Sequence, residues 1–218
     1  DGGNEFYPVF KRIHSKGTLQ DEKRLTFGLN SKINKLIYLK EMNWTIGLGT
    51  AIDARGQQSG WVVGLGPGGR LDWDMPHTRG AAAELLTGVV VKGYNAPSGA
   101  PLILAAGYSD PASDEEQPRA AWVAAFDASN GQMIWQRYYR AEKELQAVDV
   151  QALEDGRVNV LLHASGPADP EEAEVIAQTY DHGRILLHDP RGRLLDVKDL
   201  FYERGVKTSQ LVGGNEHF

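Results

Sequence analysis

The feature that most constrains the fold is a strand–turn–strand pattern that recurs along the chain. Its clearest copy is Ala121–Trp135, where two apolar runs flank a tight turn that ends at a glycine. The turn glycines of four copies are Gly17, Gly69, Gly131 and Gly192. Consecutive glycines in this set are 52, 62 and 61 residues apart. A nearly constant interval of this size indicates repeated structural units.

Each unit is predicted to contain four short strands. Alignment on the glycines predicts hairpins within residues 9–21, 61–73, 122–135 and 184–196. A second pair of apolar runs lies in 35–39 and 44–49, 85–91 and 101–107, 145–153 and 157–164, and 210–212 and 216–218. Asp-Gly and Gly-Gly between such runs are hairpin signals. Helices are the alternative for Ala81–Val90 and Ala141–Val150, but neither stretch keeps a 3.6-residue period, so strands are favoured.

These units predict an all-β fold in which residues 1–218 form one repeat domain. Four-stranded antiparallel units without intervening helices are typical of a β-propeller-like array of blades. About four blades are expected, either as a small closed ring or as part of a larger propeller. The first interval is about ten residues shorter than the others, which is compatible with a degenerate or an incomplete first unit.

The best copies of the pattern resemble the repeats of bacterial β-propellers, including quinoprotein-type and related secreted propellers. The residues that carry the resemblance are Trp122, Val123, Phe126, Asp127, Gly131, Ile134 and Trp135. The resemblance implies a periplasmic or extracellular protein. A quinoprotein dehydrogenase would also bring a quinone, a calcium ion with a catalytic Asp, and often a disulfide. The chain has no Cys and no Asp that can be assigned to that role, so the resemblance implies a non-enzymatic propeller.

The composition excludes several classes of site. A net charge of −6 argues against a nucleic-acid binder, which normally carries a basic stripe. The absence of Cys excludes disulfides, thiolate catalysis and Cys-based zinc sites. No apolar run reaches the length of about 18 residues that a membrane-spanning helix requires. The six His residues form no metal-binding motif, so no cofactor is predicted.

Two acidic loops are the candidate partner-binding site. They are predicted to emerge on the same side of neighbouring units and to form a negative patch for a basic protein surface. Their acidic residues are Asp110, Asp114, Glu115, Glu116, Asp169, Glu171 and Glu172. Calcium is a weaker alternative, because neither loop has the Asp-x-Asp-x-Asp-Gly spacing of a calcium loop. A solvated surface without a binding role is the favoured interpretation of both loops.

The most probable function at this stage is a non-enzymatic binding or scaffold module that contacts other proteins, as a subunit of a larger bacterial envelope or secreted assembly. One alternative is a propeller enzyme, namely a hydrolase, a lyase or a quinone-dependent dehydrogenase. The other is a carbohydrate-binding lectin, in which the recurrent Trp61, Trp73, Trp122 and Trp135 would stack on sugar rings. Periodic packing between units explains the same four Trp positions and is favoured. The ligand and the partner stay open.

Overall fold

The structure, a computed structural model, describes residues 7–25, 30–78, 80–112, 117–141, 144–165 and 182–201. These residues form fourteen strands in four antiparallel sheets. Sheet 1 contains β1 (Val9–Ile13) and β2 (Leu19–Arg24). Sheet 2 contains β3 (Asn30–Leu39), β4 (Trp44–Ile52), β5 (Gln58–Leu65) and β6 (Leu71–His77), with a 3₁₀ turn, Pro67–Gly69, before β6.

The two remaining sheets have the same four-stranded order. Sheet 3 contains β7 (Ala82–Asn95), β8 (Pro101–Asp110), β9 (Ala120–Asp127) and β10 (Met133–Tyr139). Sheet 4 contains β11 (Glu144–Ala152), β12 (Val158–Ser165), β13 (His182–His188) and β14 (Leu194–Phe201). In all three four-stranded sheets the strands are neighbours in chain order. The predicted all-β class and the four-stranded repeat are therefore confirmed for these sheets.

The predicted hairpins are the third and fourth strands of each unit, and their turn glycines have the expected backbone. Gly17, Gly69, Gly131 and Gly192 all have positive φ, between 71° and 82°. Each donates its N–H to a carbonyl three or four residues earlier in the turn. L-residues with a side chain pay a steric cost in this region, which explains why the repeat is anchored on glycine. In the two stretches with a helical alternative, residues 82–90 belong to β7 and residues 144–150 belong to β11, so these residues form strands.

The sheets stack face to face through three apolar cores. Along β9 the side chains alternate, so that Trp122, Ala124 and Phe126 pack towards sheet 2, whereas Ala121, Val123 and Ala125 pack towards sheet 4. All eight residues of β9 are buried. A smaller core, which includes Trp61, Val63 and Phe10, lies between sheets 1 and 2. Burial on both faces explains why Ala121–Trp135 is the most apolar copy of the repeat.

A repeated aromatic–glycine contact connects each sheet to the next one. A Cβ built on Gly69 would lie 2.5 Å from the ring of Phe10 in sheet 1. A Cβ built on Gly131 would lie 2.5 Å from the ring of Trp73 in sheet 2. A Cβ built on Gly192 would lie 2.6 Å from the ring of Trp135 in sheet 3. The turn glycine is thus required twice, once by its φ and once by the ring seated on it. The expectation that the recurrent Trp residues pack between units agrees with these contacts.

The first strand of every four-stranded sheet contains a β-bulge at the same place. The register shifts at Ile33/Lys35 in β3, at Leu85/Thr87 in β7 and at Ala147/Asp149 in β11. The residue directly before each bulge is polar: Lys32 in β3, Glu84 in β7 and Gln146 in β11. A bulge bends a strand and redirects its side chains, so this position presents polar groups at the junction between sheets.

Candidate functional site

A polar network around Glu84 is the first candidate site. Glu84 lies near the start of β7 and is 9% exposed. Its Oε1 accepts a hydrogen bond of 2.8 Å from Asn34 Nδ2, and its Oε2 accepts one of 2.8 Å from the hydroxyl of Tyr108. Lys32 Nζ lies 3.4 Å from Oε1 and supplies the opposite charge. Asn34 also donates 2.8 Å to the carbonyl of Leu85, so one side chain ties β3 to β7 twice.

Arg119 and Asp110 extend this network along the edge of sheet 3. Arg119 Nε donates a hydrogen bond of 2.6 Å to Asp110 Oδ1, and the Arg119 NH2 nitrogen donates one of 3.2 Å to Oδ2. The two side chains thus form a bidentate ion pair. The guanidinium carbon lies 3.9 Å from the centroid of the Tyr108 ring. Burial lowers the pKa of Arg119, but the hydrogen bond and the charge of Asp110 outweigh it and the pKa is raised. Arg119 is therefore cationic at physiological pH.

The chemistry of this network is that of a structural junction. Burial raises the pKa of Tyr108, and its hydrogen bond to Glu84 raises it further, so the phenol stays protonated and donates. Both Glu84 oxygens already accept hydrogen bonds from the chain itself. A general base must instead present a free lone pair to its substrate. The network consequently joins sheets 2 and 3 through the contacts of Lys32 and Asn34 with Glu84, which lie 52 and 50 positions apart in sequence.

The predicted acidic loops are represented in the structure by one residue. Asp110 ends β8, and its carboxylate is occupied by the bidentate contact with Arg119. It lines a small cavity of about 120 Å³ together with Tyr138 and Arg140. The other six predicted residues lie outside the described residues, namely Asp114, Glu115, Glu116, Asp169, Glu171 and Glu172. The joint negative patch stays a prediction.

A buried histidine, His188, and a half-buried one, His77, lie at the junctions between sheets. His188 ends β13, has no exposed surface, and its Nε2 shares a hydrogen bond with the hydroxyl of Tyr139 in sheet 3. Burial lowers the pKa of His188 to about 4, and the charge of Arg137 contributes in the same direction. His77 packs 4.9 Å from the ring of Phe126, and burial lowers its pKa too. Both side chains are neutral packing groups at neutral pH.

An open groove beside sheet 1 is the second candidate site. It is lined by residues 7–9, which lead into β1, and by residues 31–36 of β3, and its volume is about 730 Å³. Leu36 is 52% exposed and Tyr38 is 61% exposed on β3. Val9, Ile13 and Leu19 of sheet 1 are also among the exposed large apolar side chains. Of these, Val9 and Leu36 line the groove itself, and exposed apolar surface in a groove marks a site of interaction.

The groove also contains an unsatisfied polar group. Ser31 is 5% exposed, and its Oγ has no hydrogen-bond partner among the described residues. Buried hydroxyls are normally hydrogen-bonded, because an unpaired one costs free energy. Lys32 and Lys35 are the charged residues of the lining, which contains no Asp or Glu. A chain of net charge −6 thus has a basic, partly apolar groove.

Sequence patterns did not identify either site. The Glu84 network unites residues from three strands, and only the spacing of the repeat, extended to the bulged first strands, aligns Lys32 with Glu84. The groove has a fainter signal, which is the short first interval between Gly17 and Gly69.

Within the described ranges, no three His, Asp or Glu side chains are grouped so that they would hold a metal ion. No helix in the same ranges is both long and apolar enough to cross a membrane. The acidic-loop residues that motivated the calcium alternative mostly lie outside these ranges.

Comparison with known proteins assigns the chain to no group. No protein-family model matches the sequence, and no curated protein matches it either. The functional argument therefore depends on the residues and their geometry.

Proposed function

We propose that this chain is a non-enzymatic interaction module of the β-propeller type, which binds a partner protein through the groove beside β1. The stacked four-stranded sheets, the meander order and the repeated aromatic–glycine contact support the propeller interpretation. A placement in the bacterial periplasm or outside the cell follows from the resemblance of the repeats and is part of the same proposal.

The observation that carries the proposal is an open groove whose lining includes two exposed apolar side chains, Val9 and Leu36. Leu36 and Tyr38 are more than half exposed, although they lie on the first strand of a sheet whose second and third strands are largely buried. Covering such a surface removes apolar area from water, at about 25 cal/mol for each Å². A protein partner is the class of ligand that covers a surface of this extent.

The alternatives draw less support from the geometry. A lectin would need exposed Trp faces, whereas Trp61 and Trp122 are buried. An enzyme would need polar groups that converge on a free space, whereas Glu84 and Tyr108 bond to each other and to neighbouring strands.

The test is the native mass of the tagged full chain in an extract of its source, with the co-migrating proteins quantified by mass spectrometry. Leu36→Asp places a charge in the groove, and Met75→Asp is the matched control because Met75 is 40% exposed on β6. We expect a complex well above 23.9 kDa for the wild type and for Met75→Asp, and its loss for Leu36→Asp. A wild-type chain that migrates alone, or a complex that Leu36→Asp leaves intact, contradicts the proposal.

A further inference from the structure

The groove beside β1 has the position that a second strand occupies in the other sheets. In sheet 2 the third strand, β5, pairs with β4, and in sheet 3 the third strand, β9, pairs with β8. The hairpin β1–β2 corresponds to the third and fourth strands of a unit. Within the described residues, β1 pairs with β2 alone, and no described strand lies at its other edge, where a second strand would pair.

The hydrogen-bond pattern identifies the backbone groups at this edge. Pro8 accepts from the N–H of Leu25, and His14 donates to the carbonyl of Thr18, so the even-numbered residues of this stretch face β2. Alternate residues of an antiparallel strand direct both polar groups to the same side. The N–H and C=O groups of Val9, Lys11 and Ile13 therefore face the open edge.

The wall of the groove repeats the surface on which the other second strands pack. Ile46 and Leu48 of β4 share a core with Leu85 of β7, the first strand of the next sheet. Leu102 and Leu104 of β8 share a core with Leu145 of β11, which is the equivalent arrangement. At the groove, the first strand of the next sheet is β3, and its Ile33 and Leu36 line the wall.

Resting on the proposed function, we propose that the groove binds an extended segment of a partner protein, which adds to sheet 1 as an antiparallel strand beside β1. The main-chain groups of Val9, Lys11 and Ile13 pair with this segment, as in other cases of strand addition to a sheet edge. Apolar side chains of the segment pack on Ile33 and Leu36, and Ser31 Oγ gains a polar partner.

Charge selects the sequence of the segment. Lys35 lies in the lining without an ion pair in the described part of the chain, and the lining contains no carboxylate. The preferred ligand is thus an apolar extended peptide that carries an acidic residue. The sequence of β8, PLILAAGYSD, has this composition and serves as the probe.

The experiment measures binding of a fluorescently labelled PLILAAGYSD peptide to the full chain by anisotropy. Lys11→Pro removes one outward N–H and the exposed ion pair between Lys11 and Glu22, but it keeps the backbone pairing with β2, since proline is accepted on strand edges where its nitrogen faces solvent. We expect saturable binding that Lys11→Pro and Leu36→Asp each weaken at least about tenfold, while Met75→Asp leaves it unchanged. A peptide with proline at its second Leu and its first Ala is expected not to bind.

Several outcomes would overturn the inference. These are no binding of the probe to the full chain, equal binding by Lys11→Pro, and a self-associated chain whose mass in light scattering shows a second copy in the groove. If Leu36→Asp abolishes the native complex while Lys11→Pro preserves it and the probe does not bind, strand addition is wrong and the proposed function stands. If neither variant alters the native complex, both are wrong.

Discussion

Replacing Gly131 by alanine tests the aromatic–glycine contact that connects successive sheets. Gly131 has φ of +72°, so an L-residue there costs about 1–2 kcal/mol of stability from backbone strain alone. The new Cβ would lie 2.5 Å from Trp73 Cζ3 and 2.8 Å from Trp73 Cε3, which forces the ring of sheet 2 to move. Overpacking of this kind costs about 1–3 kcal/mol more. We expect a total loss of about 2–5 kcal/mol.

Gly99→Ala is the matched control for this substitution. Gly99 belongs to the same sheet and has φ of +86°, but a Cβ there would meet nothing within 4 Å. Gly99→Ala therefore has the cost of a positive φ but not the clash with a ring, and we expect it to lower the free energy of unfolding by about 1–2 kcal/mol. Urea unfolding followed by tryptophan fluorescence compares the two variants. Equal losses for Gly131→Ala and Gly99→Ala would refute the conclusion that Trp73 is seated on the Gly131 turn.

Two further predictions concern buried polar groups. The pKa of His188 falls from 6.5 in the unfolded chain to about 4 in the folded chain. Between these two pH values the His188 side chain is therefore protonated in the unfolded chain but neutral in the folded one. Stability is full above pH 6.5 and decreases by roughly 3 kcal/mol as the pH falls to 4, a slope that urea titrations should find reduced in His188→Gln. Tyr108→Phe removes the hydroxyl that donates to Glu84 and is expected to cost about 1–3 kcal/mol, whereas Tyr94→Phe, on a half-exposed ring, should change stability by less than about 0.5 kcal/mol in the same assay.

The architecture was predictable because its constraints are local and repeated. Each turn requires positive φ, which glycine alone adopts at little cost, so the spacing of Gly17, Gly69, Gly131 and Gly192 marks the units. Stretches such as Ala81–Val90 contain Ala and Glu, which suit a helix in isolation. Their position between two hairpins of a repeat indicates a strand, since each sheet needs a first strand to face its neighbour.

The sites were not predictable in the same way, because they depend on contacts between distant strands. Asn34 and Glu84 are 50 positions apart and belong to different units, so no motif spacing connects them. Asp110 was singled out for an acidic patch, but its partner Arg119 stands across a loop and neutralises it. In the described part of the chain β1 has a strand on one side only, and a sequence pattern reveals strands but not an edge without one.

Amide hydrogen exchange along β1, measured by NMR on the full chain with and without the PLILAAGYSD peptide, tests the central claim most directly. The open-edge account predicts fast exchange at Val9, Lys11 and Ile13 in the free chain, and protection of these three amides when the peptide is bound. The amide of Phe10 faces β2 and should be protected in both states. If Val9, Lys11 and Ile13 are already as protected as Phe10 in the free chain, the edge of β1 is occupied, and the account of the groove as a binding site is contradicted.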